Sequence, residues 1–230
     1  MKILYLIPLL LCFQPPEKEY LPSIDVTESL LDHRYFKIAY DCRHNCPVWV
    51  YYKLTKDQVL EEQAERRNNF HEDDLLNSCT PSSDNYAGTG YDRGHLCPAE
   101  DMDHSQKAMD ETFVMTNISP QAPKFNRGIW KHLESFIRTT AIEEEALYIV
   151  KGTILGENNK RIPGGISIPK YFYATFINKE ITKSWAYIFE NKESQDPLQN
   201  NKISIDSLEK ITNIDFFYSV NDKTENLLEK

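Results

Sequence analysis

The sequence predicts a single domain that mixes β-strands with helices, and three observations carry that expectation. At 230 residues the chain is long enough for one core of moderate size. A hydrophobic share of 40% and an aromatic share of 12%, with 13 Tyr and 11 Phe, describe a globular chain rich in strand-formers. Strand-length apolar runs bounded by turn residues flank one long segment, 126–145, whose apolar residues fall three and four apart. No internal repeat and no domain-scale break follows residue 30, so 31–230 is expected to fold as one unit.

The elements are expected in this order. Lys2 precedes the apolar run Ile3–Phe13, too short to span a bilayer but fitting the core of a signal peptide, so 1–14 is expected as a signal peptide. Leu11 before Cys12 fits a lipoprotein signal poorly, and Glu17 and Glu19 with no nearby Arg disfavour a mitochondrial presequence. Residues 15–30, polar and holding Pro15-Pro16, are expected as a linker or N-terminal extension. Arg34 to Tyr40 and Val48 to Leu54 read as strands joined through a Cys42–Pro47 turn, a hairpin. Lys56 to Asn69 is charged and helix-compatible or irregular, and Ser78 to Gly90 is a loop rich in Ser, Thr, Asn, Gly and Pro. Ser105 to Asp110 is a short helix and Phe113 to Ile118 a strand. In the long segment Trp130, Leu133 and Ile137 form an apolar face, with Asn126 as its N-terminal cap. Leu147 to Leu155, with Gly152 as a candidate bulge, Tyr171 to Ile177 and Ser184 to Phe189 read as strands. Glu190 to Lys202 is a surface loop, and Ser204 to Lys210 a helix capped by Ser204 or Asp206.

Charge and cysteines narrow the function. The formal net charge of -9 argues against a protein that coats nucleic acid through bulk charge. A local cationic groove is still available, since 124–138 carries Lys124, Arg127, Lys131 and Arg138 against the single acid Glu134. After removal of the signal four cysteines are left, Cys42, Cys46, Cys79 and Cys97, and an even number in an exported chain favours disulfides. Of three connectivities the preferred one is Cys42–Cys46 with Cys79–Cys97; the rival is a zinc site on Cys42, His44 and Cys46, weak without a second pair.

The chemistry lies in Asp92-Arg93-Gly94-His95 and, about thirty residues on, Asn126-Arg127-Gly128-Ile129-Trp130 with Leu133-Glu134. Phosphodiester hydrolysis needs a deprotonated water, a neutralised phosphate and a stabilised leaving oxygen. His95 is a suitable base near pH 7. Magnesium prefers oxygen and keeps most of its water, so the amide oxygen of Asn126 could suffice as a direct ligand, with Glu134 two helical turns on accepting hydrogen bonds from the ion's waters. Arg93 and Arg138 could hold phosphate oxygens, and Gly94 allows close backbone approach or positive φ beside the base. Taken singly, each residue has a plainer reading. His95 would be a structural histidine, Asn126 a helix cap, Asn117 a backbone clamp, Glu134 and Arg138 an i,i+4 surface pair, and Arg66-Arg67 solvated charge. His33, His44, His71, His104 and His132 have no chemical context, and Trp130 is core.

Together these blocks resemble the DNA/RNA non-specific endonuclease family, closest to its endonuclease G-like branch. The likeness rests on Tyr91 to Ala99, Ser105 to Met109, Thr116 to Gln121, Asn126-x3-Trp130-x2-Leu133-Glu134 and the tail Ile205 to Phe217, and spans about 35–220. It implies an α+β fold, a central mainly antiparallel sheet flanked by helices, with a ββα-metal active-site motif. It implies His95 as general base, Asn126 as the direct Mg²⁺ ligand with Mn²⁺ as a substitute, Glu134 orienting the ion's water and Asn117 supporting the site. It assigns Arg93 to the phosphate or the base and makes Arg138 a weaker match. Arg66 and Arg67 are both candidates for an upstream arginine on the scissile phosphate. The implied reaction is hydrolysis of DNA and RNA to 5′-phosphate ends. A homodimer and an inhibitor protein are further partners it leaves room for, with no membrane contact once the signal is removed and a secreted or periplasmic location. A non-catalytic nucleic-acid-binding relative of the same fold is the alternative; joint retention of His95, Asn126 and Glu134 argues against it, because binding alone needs none of them. Asn213 departs from the tail pattern, where Gly is usual.

Overall fold

The computed structural model describes residues 20–25, 27–76, 78–220, 224 and 228, so the expected signal peptide lies outside the described residues. The first half holds strands β1 (Ser29–Asp32), β2 (Lys37–Asp41) and β3 (Cys46–Thr55), helix α1 (Lys56–Leu60), strand β4 (Asp92–His95), helix α2 (Gln106–Glu111) and strand β5 (Ile118–Gln121). Helices α3 (Pro123–Phe125) and α4 (Lys131–Glu143) follow, then strands β6 (Ala146–Ile154), β7 (Arg161–Ile162), β8 (Ile166–Ser167), β9 (Tyr171–Asn178), β10 (Ser184–Glu190) and β11 (Lys202–Ile203), and helix α5 (Ile205–Thr212).

The main sheet runs β1-β2-β3-β6-β9-β10-β11, and every neighbouring pair in it is antiparallel. The fold is thus α+β, as expected. Alternation along each strand sends one set of side chains to each face. Leu147 and Ile149 of β6 join Val50, Tyr52, Phe172 and Phe176 under Trp130, Leu133, Ile137 and Ala141 of the α4 region. Tyr148 and Val150 join Trp49, Tyr51 and Tyr173 on the opposite face, under Ile205, Leu208 and Phe216. Leu133 and Ile137 are fully buried, each contributing about 1.5–3 kcal/mol. Helix α5 is capped by Ser204, whose hydroxyl accepts from the Ser207 N–H, and it ends on Asn213 in the left-handed region (φ 57°). Asn tolerates that conformation, which accounts for its standing in a glycine position.

The structure corrects several expectations. Within the expected linker or N-terminal extension, residues 20–23 pack on the domain, with Tyr20 buried and the Ser23 N–H donating to the Asp215 carbonyl at 2.8 Å, and β1 starts at Ser29. The expected strand at 113–118 is a buried turn of 3₁₀ helix, Met115–Asn117, and strand pairing starts only at Ile118, opposite His95. Gly152 does not bulge β6; pairing with Trp49 and Tyr173 runs straight through it. A Cβ there would sit 2.3 Å from the Tyr173 ring and the Val48 carbonyl, so the residue is small to admit that ring. The disulfide is Cys42–Cys79, with Cα atoms 5.5 Å apart. Cys46 and Cys97 are buried free thiols. Cys46 lies in β3 facing the hydroxyls of Ser119 and Thr153, which turns it away from Cys42 in the exposed hairpin turn. The zinc alternative fails with it, because Cys42 is in the disulfide and His44 Nδ1 bonds Ser167 Oγ at 2.9 Å.

Candidate active site

Strands β4 and β5 pair antiparallel, Gly94 opposite Ser119 and His95 opposite Ile118, and β5 runs directly into α3 and α4. Gly94 lies in this ladder with no positive φ; it is there for close approach, since a Cβ would stand 2.1 Å from the Gln121 side chain. Its neighbour His95 is 8% exposed, with its Nε2 buried and without a hydrogen-bond partner among the described residues. Phe113 meets its ring edge-on at 5.0 Å and Phe70 lies at 5.5 Å. Burial first, then the positive charges of Arg66, Arg93 and Lys151, hold its pKa down to about 3, so the imidazole is neutral at physiological pH. Asn117, fully buried, spends its amide on backbone. Its Oδ1 accepts from the Cys97 N–H at 2.9 Å, and its Nδ2 donates to the carbonyls of Cys97 and Thr112. It therefore fixes the chain two residues past His95 and does not face a substrate.

Asn126 is not a cap. Helical backbone starts at Pro123, and Asn126 has φ -54° and ψ -50° inside it. From Asn126 to Trp130 the helix widens to a π turn, with Gly128 leaving helical geometry, before α4 begins. Such turns displace a side chain from the regular helical face and recur at functional sites. The Asn126 Nδ2 donates to Asp92 Oδ2 at 2.9 Å. A carboxylate only accepts, so this bond decides which end of the amide faces Asp92 and leaves Oδ1 for another partner. Arg127 donates to the same carboxylate through Nε at 2.9 Å and Nη2 at 2.7 Å. Burial works against ionisation of Asp92, but the bonds from Arg127 and Asn126 outweigh it and hold its carboxyl below the usual range. Sequence reasoning gave Asp92 no role although it stood first in the tetrapeptide; in the structure it holds the Asn126 amide and the Arg127 guanidinium.

Glu134, in the first turn of α4, has a side chain only 13% exposed, and burial raises its pKa to about 7 while Lys151 works against that. Lys151 is a second residue the sequence reading missed; its one signal was a lysine inside the apolar run of β6. Arg66, Arg93, His95, Glu100, Asn126 and Glu134 line a single cleft of about 360 Å³, together with Arg127 and Lys131. Arg93 lies over the Phe70 ring at 4.3 Å and donates to Ser83 Oγ at 2.9 Å. Arg66 lies over the Phe113 ring at 5.4 Å. Arg67 lies outside that lining, exposed, with Asp110 at 3.8 Å. Arg138 also lies outside it, donating to Asp101 Oδ1 at 2.9 Å with Glu100 at 3.0 Å, so two carboxylates already engage its guanidinium. Among the described residues no group of three or more His, Cys, Asp or Glu could hold a metal ion, and no helix is long and apolar enough to cross a membrane.

Comparison with known proteins gives a consistent set of relatives. The chain is 30% identical over 210 residues to a nuclease of Nostoc sp., covering 84% of this chain and 75% of that one. It is 30% identical over 206 residues to nuclease C1 of Cunninghamella echinulata, covering 81% and 82%. It is 26% identical over 204 residues to human mitochondrial endonuclease G, covering 79% and 67%. Among solved structures it matches a chain of the crystal structure of the EndoG/EndoGI complex with a TM-score of 0.78 at 25% identity, over 85% of this chain and 88% of that one. The family model described as DNA/RNA non-specific endonuclease matches residues 20–223. With its seven-stranded sheet, its β4–β5 pair and its cleft all inside that match, the chain belongs to the DNA/RNA non-specific endonuclease family.

Proposed function

We propose that the protein is a divalent-metal-dependent endonuclease that hydrolyses DNA and RNA to 5′-phosphate ends. The observation that carries this reading is the shared cleft: a neutral imidazole, an amide oxygen and a carboxylate open onto the same space as two arginines. The donor set fits a hard cation such as Mg²⁺, or Mn²⁺ in its place. Asn126 would offer its oxygen directly, Glu134 would bond the ion's waters, and no soft ligand lines the cleft. When bound, the ion would supply positive charge against the leaving oxygen.

The chain's own groups do the rest. Arg66 and Arg93 bind phosphate oxygens, each held over an aromatic ring so that little side-chain freedom is lost on binding. His95 accepts the proton of the attacking water. A phosphodiester in the cleft opposes the charges of Arg66 and Arg93, which raises the basicity of the imidazole when substrate is present. Glu134 accepts hydrogen bonds from water, Asp92 aims Asn126, and Asn117 fixes the chain beyond His95. Arg138 braces Asp101 and Glu100 and leaves the phosphate to Arg66 and Arg93. The disulfide favours an exported protein, secreted or periplasmic. An inhibitor protein over this cleft is the partner suggested by the matched EndoG/EndoGI complex, and a homodimer is the assembly suggested by the family.

The test is digestion of plasmid DNA and of RNA with Mg²⁺, with EDTA, and with His95→Ala. Cutting with Mg²⁺ alone, by the unaltered protein alone, and ends that accept a new phosphate only after phosphatase treatment are expected. Activity that survives EDTA or the substitution overturns the mechanism. Cutting of DNA but not RNA removes the sugar-non-specific label.

A further inference from the structure

Lys151 has no task in the reaction as written, yet it carries an ammonium group into the interior. It is 0% exposed, and its Nζ has no hydrogen-bond partner among the described residues. The rings of Tyr52 and Trp130 lie 5.7 Å from that nitrogen, and Glu134 Oε1 lies 3.9 Å away. An unpaired buried ammonium is costly, and a methionine would fill the same volume at no such cost. The other nearby carboxylate, Asp101, already accepts from Tyr52 Oη at 2.7 Å and from Arg138. Glu134 is therefore the anion left for Lys151. The remaining charged or titratable groups that act on this pair are Tyr52, His95 at the end of β4, Cys97 just past it, Glu100 and Arg138.

We propose that Lys151 is a positioning residue: its ammonium lies beneath Glu134 and holds that carboxylate ionised and aimed into the cleft. The proposal rests on the catalytic reading of Glu134 above. Aromatic walls on both sides of Lys151 exclude water, so the attraction acts at low screening, and burial alone would otherwise neutralise Glu134.

The test compares the unaltered protein with Lys151→Met, Glu134→Gln and the double variant. Circular dichroism and thermal melts establish folding, with Lys151→Gln as the substitute should the methionine variant not fold. The expected result is a kcat lowered by about 10–100-fold with KM for DNA within about twofold, and weaker Mn²⁺ binding by electron paramagnetic resonance in the absence of substrate. The acid limb of the kcat/KM profile moves to higher pH by about one unit or more, because Glu134 loses the cation that keeps it ionised. Adding Lys151→Met to Glu134→Gln brings little further loss, as expected of two residues acting through one group. A folded Lys151→Met with unchanged pH profile and Mn²⁺ affinity, beside an impaired Glu134→Gln, overturns the role of Lys151 alone. Multiplicative losses in the double variant overturn it too. Full activity of Glu134→Gln by itself overturns the catalytic reading of Glu134 and this role with it.

Discussion

Asp92→Ala separates a positioning role from a structural one. The carboxylate receives one hydrogen bond from Asn126 and two from Arg127. The Arg127 side chain is 73% exposed, so its ion pair is screened by solvent and adds little to stability. The Asn126 bond adds about 1 kcal/mol, so the variant should fold with a loss of roughly 1–2 kcal/mol. Activity should suffer more than that. With its Nδ2 unpaired, the Asn126 amide can rotate or present its NH₂ group to the cation, and loss of such an outer contact costs about 10–100-fold, or about 1.4–2.8 kcal/mol of barrier. The assay is steady-state cleavage of a fluorogenic oligonucleotide across a Mg²⁺ titration, with Arg127→Ala as the control. Asp92→Ala should need more Mg²⁺ for half-activation, whereas Arg127→Ala, which leaves the Asn126–Asp92 bond in place, should stay within about threefold of the unaltered protein. Normal Mg²⁺ dependence in Asp92→Ala, or equal damage in Arg127→Ala, would refute the argument that Asp92 acts through Asn126.

Other outcomes follow from the same geometry. Arg66→Ala should lower kcat/KM by about 10-fold or more while Arg67→Ala stays near normal, because only Arg66 lines the cleft; parallel kinetics on one substrate decide it. Cys42→Ser removes a cross-link between residues 37 apart, which chain-entropy reasoning values at about 4 kcal/mol, so the thermal midpoint should fall by roughly 10 °C in scanning calorimetry. Stability should also depend on pH through two buried groups of opposite sign. His95 has its folded pKa lowered from 6.5 to about 3, so the unfolded chain binds the extra proton and stability falls as pH drops through that interval. Glu134 has its folded pKa raised from 4.5 to about 7, so the folded chain binds the extra proton and stability falls as pH rises through that interval. Denaturant titrations between pH 4.5 and 6.5 should show the two nearly cancelling in the unaltered protein. Glu134→Gln should unmask a fall toward acid of up to about 1.4 kcal/mol per pH unit, and an unchanged slope would contradict the burial of both groups.

What could be read from the chain in advance was what local chemistry dictates. The apolar runs of β3, β6, β9 and β10 and the three-four spacing of Trp130, Leu133 and Ile137 pointed to the sheet and its main helix, because strands covered on both faces read as near-continuous apolar runs and a helix packed on one face imposes its own period. The four ordered motif blocks gave the family. Features that depend on the third dimension were hidden. Cys42 and Cys79 meet only because the segment before β4 folds back onto the hairpin turn. Arg66 and Arg67 are indistinguishable as neighbours in sequence, and one turns to the Phe113 ring while the other turns to Asp110. A π turn has no composition signature, so Asn126 read as a cap although helical backbone begins three residues earlier, at Pro123. Lys151 was passed over because a strand reading predicts which face a residue takes, not what charge awaits it there.

The cleft and its surroundings carry costs that work against stability. Among the described residues, His95 is buried without a partner for Nε2, Lys151 is buried without a hydrogen bond, and both polar atoms of the Gln121 amide are unpaired beneath Gly94. Burial works against ionisation of Glu134, and Lys151 opposes that effect. On the proposed reading, the unpaired Nε2 of His95 and the carboxylate of Glu134 find their partners when substrate and cation arrive in the cleft. That arrangement also reconciles an acidic protein with a polyanionic substrate. Arg66, Arg93 and Lys131 face one cleft, while Arg127 is matched by Asp92, so a local field favours phosphate there despite the net charge of -9. Phosphates are common to every nucleic acid, and under the proposed role of Arg66 and Arg93 two ring-backed arginines would select backbone rather than base.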